Sequence, residues 1–124
     1  MEGKSIGHLP EAIGLLYLEA RKALGAGAPT GCELVCRTLL GHIAGHLGWD
    51  GTGQFAGAVQ HIDSSGFITP PMRVWVDRIR QHGNEAAHEV AAVNPQRATD
   101  TLRFTAALLE LVFELPGIEA SQGG

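Results

Sequence analysis

The chain lacks most of what a membrane protein, a secreted protein or a nonspecific nucleic-acid coat requires. Its longest apolar runs, such as Ala106 to Leu109 and Leu111 to Phe113, fall far short of the roughly 20 residues that a bilayer-spanning helix needs. No membrane partner is expected. The opening MEGKSIGHLP offers a lysine but no apolar stretch of the kind that drives secretion, so a cytoplasmic location is expected. There are only 2 cysteines, Cys32 and Cys36. Four residues apart on a helix they share a face without pointing at each other, and no CxxC spacing or neighbouring ligand favours redox or metal chemistry. They read as reduced core thiols. Positive charge is also scarce, with 9 Lys plus Arg against 13 Asp plus Glu and a formal charge of -4. No global field gathers phosphate backbones.

What is present fits one domain. At 124 residues and 44% hydrophobic composition, a chain buries about two thirds of its unfolded surface, enough for a core without disulfides. No period-two alternation persists and no internal repeat appears. The 17 glycines gather at punctuation points: 25–31, 48–57, 66 and the terminal SQGG. Between them the period is helical, so the fold class is all-α, a five-helix bundle with short Gly/Pro-rich connections. The first helix is expected from about Pro10 to Leu24, with Ile13, Leu16, Tyr17, Ala20 and Leu24 as its stripe. The second starts at Thr30, where Thr30 and Glu33 match an S/T-x-x-E capping box, and runs to about Leu47. Its expected core stripe is Cys32, Val35, Leu39, Ile43 and Leu47. A shorter third carries Phe55, Ala58, Val59 and Ile62. Thr69-Pro70-Pro71 and Asn94-Pro95 are start signals for the fourth and fifth. Pro116-Gly117 should end the fifth near Leu115, leaving 119–124 as a disordered tail and 1–8 as a flexible N-terminus.

The fifth helix carries Leu102, Phe104, Ala106, Ala107, Leu108, Leu109, Leu111, Val112, Phe113 and Leu115, apolar over most of its circumference. Two readings stand side by side: a homodimer interface, or a central helix wrapped by the other four.

The stretch Arg73 to Val90 is where chemistry is sought. At about 100° per residue, Met72, Trp75, Ile79, Ala86 and Val90 form an apolar face, and Arg73, Asp77, Arg80, Gln81, Asn84 and His88 group on the opposite flank. One reading is a wet polar surface with an i,i+4 pair between Arg73 and Asp77. The other is a site in which His88 moves a proton, Arg80 neutralises a phosphate and Asn84 orients the partner or substrate. Arg73, Arg78 and Gln81 would then flank it as local nucleic-acid contacts, doubled by a two-fold axis.

The string Ile79-Arg80-Gln81-His82-Gly83-Asn84-Glu85-Ala86-Ala87-His88-Glu89 closely resembles the signature of the bacterial domain of unknown function 4145 family, I-R-x-x-G-N-x-A-A-H. The resemblance extends to Tyr17-Leu18-Glu19-Ala20-Arg21, Cys36-Arg37-Thr38-Leu39-Leu40, Gly66-Phe67-Ile68, Phe104 to Leu109 and Val112 to Pro116, covering a single domain over 9–118. That family is similar in turn to the HEPN superfamily of toxin, abortive-infection and restriction proteins. The resemblance implies a HEPN-like bundle that dimerises and a metal-independent RNase site in which Arg80 holds the scissile phosphate and His88 is the general acid or base. Here seven residues separate the pair, whereas the nuclease pattern has four to six, so the two side chains diverge by about 80° on an ideal helix. An interaction or nucleic-acid-associated module of a bacterial or phage defence-type system is therefore preferred over the endoribonuclease. The expected partners are a second copy, RNA and a separate effector protein.

Other candidates weigh less. His42 and His46 stand at helical i,i+4 spacing but lack an H-E-x-x-H acid, and the adjacent Gly41 and Gly45 suggest close helix packing. No metal and no cofactor is expected. Ser64-Ser65-Gly66 reads as a turn rather than a nucleophile, and Gly51-Thr52-Gly53 lacks the lysine and preceding strand of a phosphate loop.

Overall fold

The computed structural model describes residues 2–86 and 93–123, the side chains at 80–86 and 123 excepted. Among the described residues all regular structure is helical: α1 Glu11–Gly25, α2 Pro29–His46, α3 Gln54–Ser64, α4 Arg73–Ala86, α5 Pro95–Leu109 and α6 Leu115–Gly123, with a 3-10 turn at Pro70–Met72 and a π-helical turn at Glu110–Glu114. Because α5, the π turn and α6 follow without a break, the described residues form five rods. No helix among the described residues is long and apolar enough to cross a membrane.

Helix α1 opens behind Pro10 and buries Ile13, Tyr17 and Ala20 at four- and three-residue steps. Glu11 in its first turn and Lys22 in its last suit the helix dipole. The chain reverses at Gly27, whose φ of 78° favours glycine, and returns as α2. That helix is the centre of the bundle, packed against α1, α3 and α5. Three neighbours widen its buried stripe to Cys32, Cys36, Leu39, Leu40, Ile43 and Ala44, while Val35 and Leu47 of the expected stripe are only half-buried.

The capping box expected at Thr30 and Glu33 does not form. The helix starts earlier, at Pro29, with no side-chain cap. Thr30 Oγ1 instead accepts the Val93 N–H at 3.1 Å, and Glu33 is 3% exposed inside the bundle.

At α4 the sequence signals hold. Thr69 accepts the first turn bond from Met72 N at 3.0 Å, and the two prolines sit where no N–H is needed. Met72, Val76 and Ile79 are buried, and half-buried Trp75 packs edge-on against Phe104 with ring centroids 6.4 Å apart. Asn94 caps α5, its Oδ1 accepting from Arg97 N at 2.8 Å with Pro95 next in line.

Helix α5 buries most of its apolar residues within the single chain. Leu102, Phe104, Leu108 and Leu109 are at most 2% exposed within the single chain. Its far end corrects the expected stop: Pro116 does not end the helix, which continues to Gly123. A proline in a helix clashes with the carbonyl four residues back, here Val112. The i to i+5 turn over Glu110–Glu114 widens the ladder at that point. The disordered tail expected at 119–124 is therefore helix as far as Gly123. The N-terminus also departs from expectation: Lys4 pairs with Glu110 at 2.5 Å and Gly7 N donates to Glu114 at 2.6 Å.

Candidate functional site

The polar flank of α4 is built on a helix that runs unbroken from Arg73 to Ala86. Its first arginine does not pair with Asp77, four residues on, as an isolated helix would favour. Arg73 makes a two-pronged contact across the bundle, Nη1 donating to Asp63 Oδ2 at 2.6 Å and Nη2 to Asp63 Oδ1 at 2.8 Å. Asp63 stands near the end of α3, where the short 65–72 connection brings it opposite the start of α4. The hydrogen bonds it donates to Asp63 hold the Arg73 guanidinium above its ordinary pKa, so it stays charged and engaged. Arg78 reaches the other way, to Asp100 of α5 at 3.4 Å, and that carboxylate is shared with Gln96 Nε2 at 3.0 Å. The two arginines thus bracket α4 with bonds to both neighbours.

Arg80, Gln81 and Asn84 lie on the same helix, but their side chains lie outside the described set, as does that of His82, and His88 lies outside the described residues altogether. Backbone position alone places 80 and 84 about one turn apart on one flank.

A polar cluster that the sequence did not reveal sits where α2 and α5 begin. Arg97 Nε lies 3.6 Å from Glu33 Oε1, with side chains 15% and 4% exposed. Glu33 Oε2 has no hydrogen-bond partner among the described residues. Beside the pair, the bond from Val93 N to Thr30 Oγ1 ties the entrance of α5 to the first turn of α2. The clue in the sequence is that Glu33 stands in the column of Cys36, Leu40 and Ala44, at three- and four-residue steps. Its match to a capping box hid that placement.

The cysteines are free and fully buried. The hydrogen bond shared with Cys32, with burial behind it, holds the Cys36 thiol well above the ordinary range. The measurable consequence is silence: in the folded protein neither thiol should react with an aromatic disulfide reagent over minutes, and both should react once urea unfolds it. Reaction of one equivalent under native conditions would contradict this packing.

His42 and His46 are exposed on α2, and His46 lies 4.6 Å from the Phe113 ring. Gly41 and Gly45, expected to serve close helix packing, have nothing within 4 Å of where a Cβ would stand. His61 Nε2 donates to the Leu47 carbonyl at 2.8 Å, a bond that fastens α3 to the end of α2. Among the described residues no group of three His, Cys, Asp or Glu converges as a metal site would need.

Fold and flank together define an all-α bundle whose helices are pinned to one another by polar pairs. The sequence model of the family described as Domain of unknown function (DUF4145) matches residues 18–121, and the chain belongs to that family. No curated protein and no solved structure matches it.

Proposed function

We propose that this protein is a cytoplasmic helical interaction module of a bacterial or phage defence-type system, acting as a homodimer with a separate effector protein as its partner. The observation that supports the interaction reading over a nucleic-acid one is the pairing of Arg73 with Asp63 and of Arg78 with Asp100. Phosphate binding draws on free cations that release counterions, and these two arginines are already matched inside the chain. The formal charge of -4 adds no attraction for RNA.

The rival is a metal-independent endoribonuclease of the HEPN type, with Arg80 on the phosphate, His88 as acid or base and Asn84 as orienting group. It rests on the family resemblance and on the unbroken helix that carries positions 80 and 84. Neither reading calls for a cofactor or a metal.

Labelled RNA incubated with the purified protein in EDTA separates them. The interaction reading expects intact RNA at every concentration and, by light scattering, a particle of twice the 13.1 kDa chain mass. Cyclic-phosphate ends that disappear in His88→Ala would replace it with the ribonuclease. A strict monomer would remove the homodimer from both.

A further inference from the structure

Helix α6 has almost nothing to hold it. Leu115 and Ile118 are 52% and 38% exposed, the residues from Glu119 to Gln122 are exposed as well, and the element's main contacts are with the π turn that precedes it. As the last two turns of the rod that begins with α5, α6 needs no nucleus of its own, but Pro116 and Gly117 at its start are the two residues least favourable to continuing a helix. Something else must account for its order.

The segment before α1 meets that end of the chain at successive points. Lys4 Nζ pairs with Glu110, the first residue of the π turn, at 2.5 Å, and Gly7 N donates to Glu114, the last, at 2.6 Å. His8 then lies on Gly117, where an added Cβ would come within 2.5 to 2.7 Å of the imidazole and its Cβ. His8 itself takes a φ of 62°, which a non-glycine residue adopts only when its surroundings fix it. The segment is anchored behind these points by Tyr17 OH donating to the Lys4 carbonyl at 2.5 Å, by Arg21 Nε donating to the Glu2 carbonyl at 3.1 Å, and by half-buried Ile6 and Leu9.

Between residues 2–4 and α5 runs a groove of about 250 Å³ floored by Leu24, Leu102 and Ala106. Apart from Ile6 and Leu9, the N-terminal strap is exposed and fixed at polar points, as the low-stability parts of a fold tend to be.

We propose that residues 2–9 form a releasable latch: docked, they clamp both ends of the π turn and seat α6; lifted, they leave the chain beyond Pro116 without support, so that α6 melts. The C-terminal helix is thereby a two-state element governed by the N-terminus. Residues 2–9 lie outside the family match at 18–121, whereas the π turn and most of α6 lie within it.

Gly117→Ala tests this with opposite signs. Alanine is the better helix former, so an intrinsically ordered α6 would gain about five-fold in amide protection. If the latch holds α6, the new methyl expels His8, and the amides of 111–122 should exchange at least about ten-fold faster while those of α2 stay protected. His8→Gly combined with Gly117→Ala removes the ring, suits the positive φ and should restore protection. Ile6→Asp, which leaves the helix untouched, should accelerate the same amides. Unchanged or slower exchange of 111–122 in Gly117→Ala or in Ile6→Asp overturns the proposal.

Discussion

Arg97→Met should lower the unfolding free energy by about 3–5 kcal/mol, because it strands a carboxylate in the bundle. Glu33 is 3% exposed, one of its oxygens faces the Arg97 guanidinium at 3.6 Å, and the other has no hydrogen-bond partner among the described residues. Once the cation is removed, nothing else among the described residues compensates that buried charge. The pair itself is no great source of stability, since both ions lose hydration to meet at a long distance. Replacing both partners at once, Glu33→Leu with Arg97→Met, should therefore return to within about 1 kcal/mol of the native protein. Urea unfolding followed by circular dichroism gives all three values. A loss under about 1 kcal/mol in the single variant would show that Glu33 reaches water.

The same residues show where sequence reading succeeds and where it stops. Helix starts were legible wherever the signal is local: Asn94-Pro95 and Thr69-Pro70-Pro71 act within one turn of themselves, and both appear as read. The capping box at Thr30 and Glu33 is equally local, yet tertiary partners claim both side chains, Val93 for one and Arg97 for the other. A pattern of four residues carries no information about a residue more than sixty positions away. Pro116-Gly117 misleads in a related way. As punctuation it stops a helix, but the π turn before it and His8 lying on Gly117 turn the same dipeptide into a seat for the N-terminal strap.

Arg73 and Arg78 lie on α4, the helix that the start signal at Thr69-Pro70-Pro71 announced. The sequence did not foresee that Asp63 and Asp100 would occupy them, since both carboxylates come from other helices. Pairing across elements decides whether an arginine is free for a partner, and periodicity is blind to it. The family itself was the most legible feature of all, carried by a dense run of residues from Ile79 to Glu89 and matched over 18–121.

The sharpest contrast in the chain lies between two glycines that look alike on paper. Gly57→Ala should cost about 3 kcal/mol, at the upper end of what overpacking does. Its new Cβ would stand 1.9 Å from the Thr52 carbonyl oxygen and 2.9 Å from the carbon, and this is backbone that no side-chain rotation can clear. That carbonyl also accepts from Trp49 Nε1 at 3.0 Å, while Thr52 N donates to Asp50 Oδ1 at 2.8 Å, so moving it disturbs the whole turn that launches α3. Gly41→Ala is expected to do the reverse. It too lies inside a helix, but nothing stands within 4 Å of the added methyl, and the gain in helix propensity should stabilise by about 0.5–1 kcal/mol. Urea midpoints give both signs, and a red shift of tryptophan emission should accompany Gly57→Ala alone as Trp49 loses its carbonyl. If Gly57→Ala were neutral, the close approach of α3 to Thr52 would be wrong. If Gly41→Ala were destabilising, the open space beside that face of α2 among the described residues would be wrong.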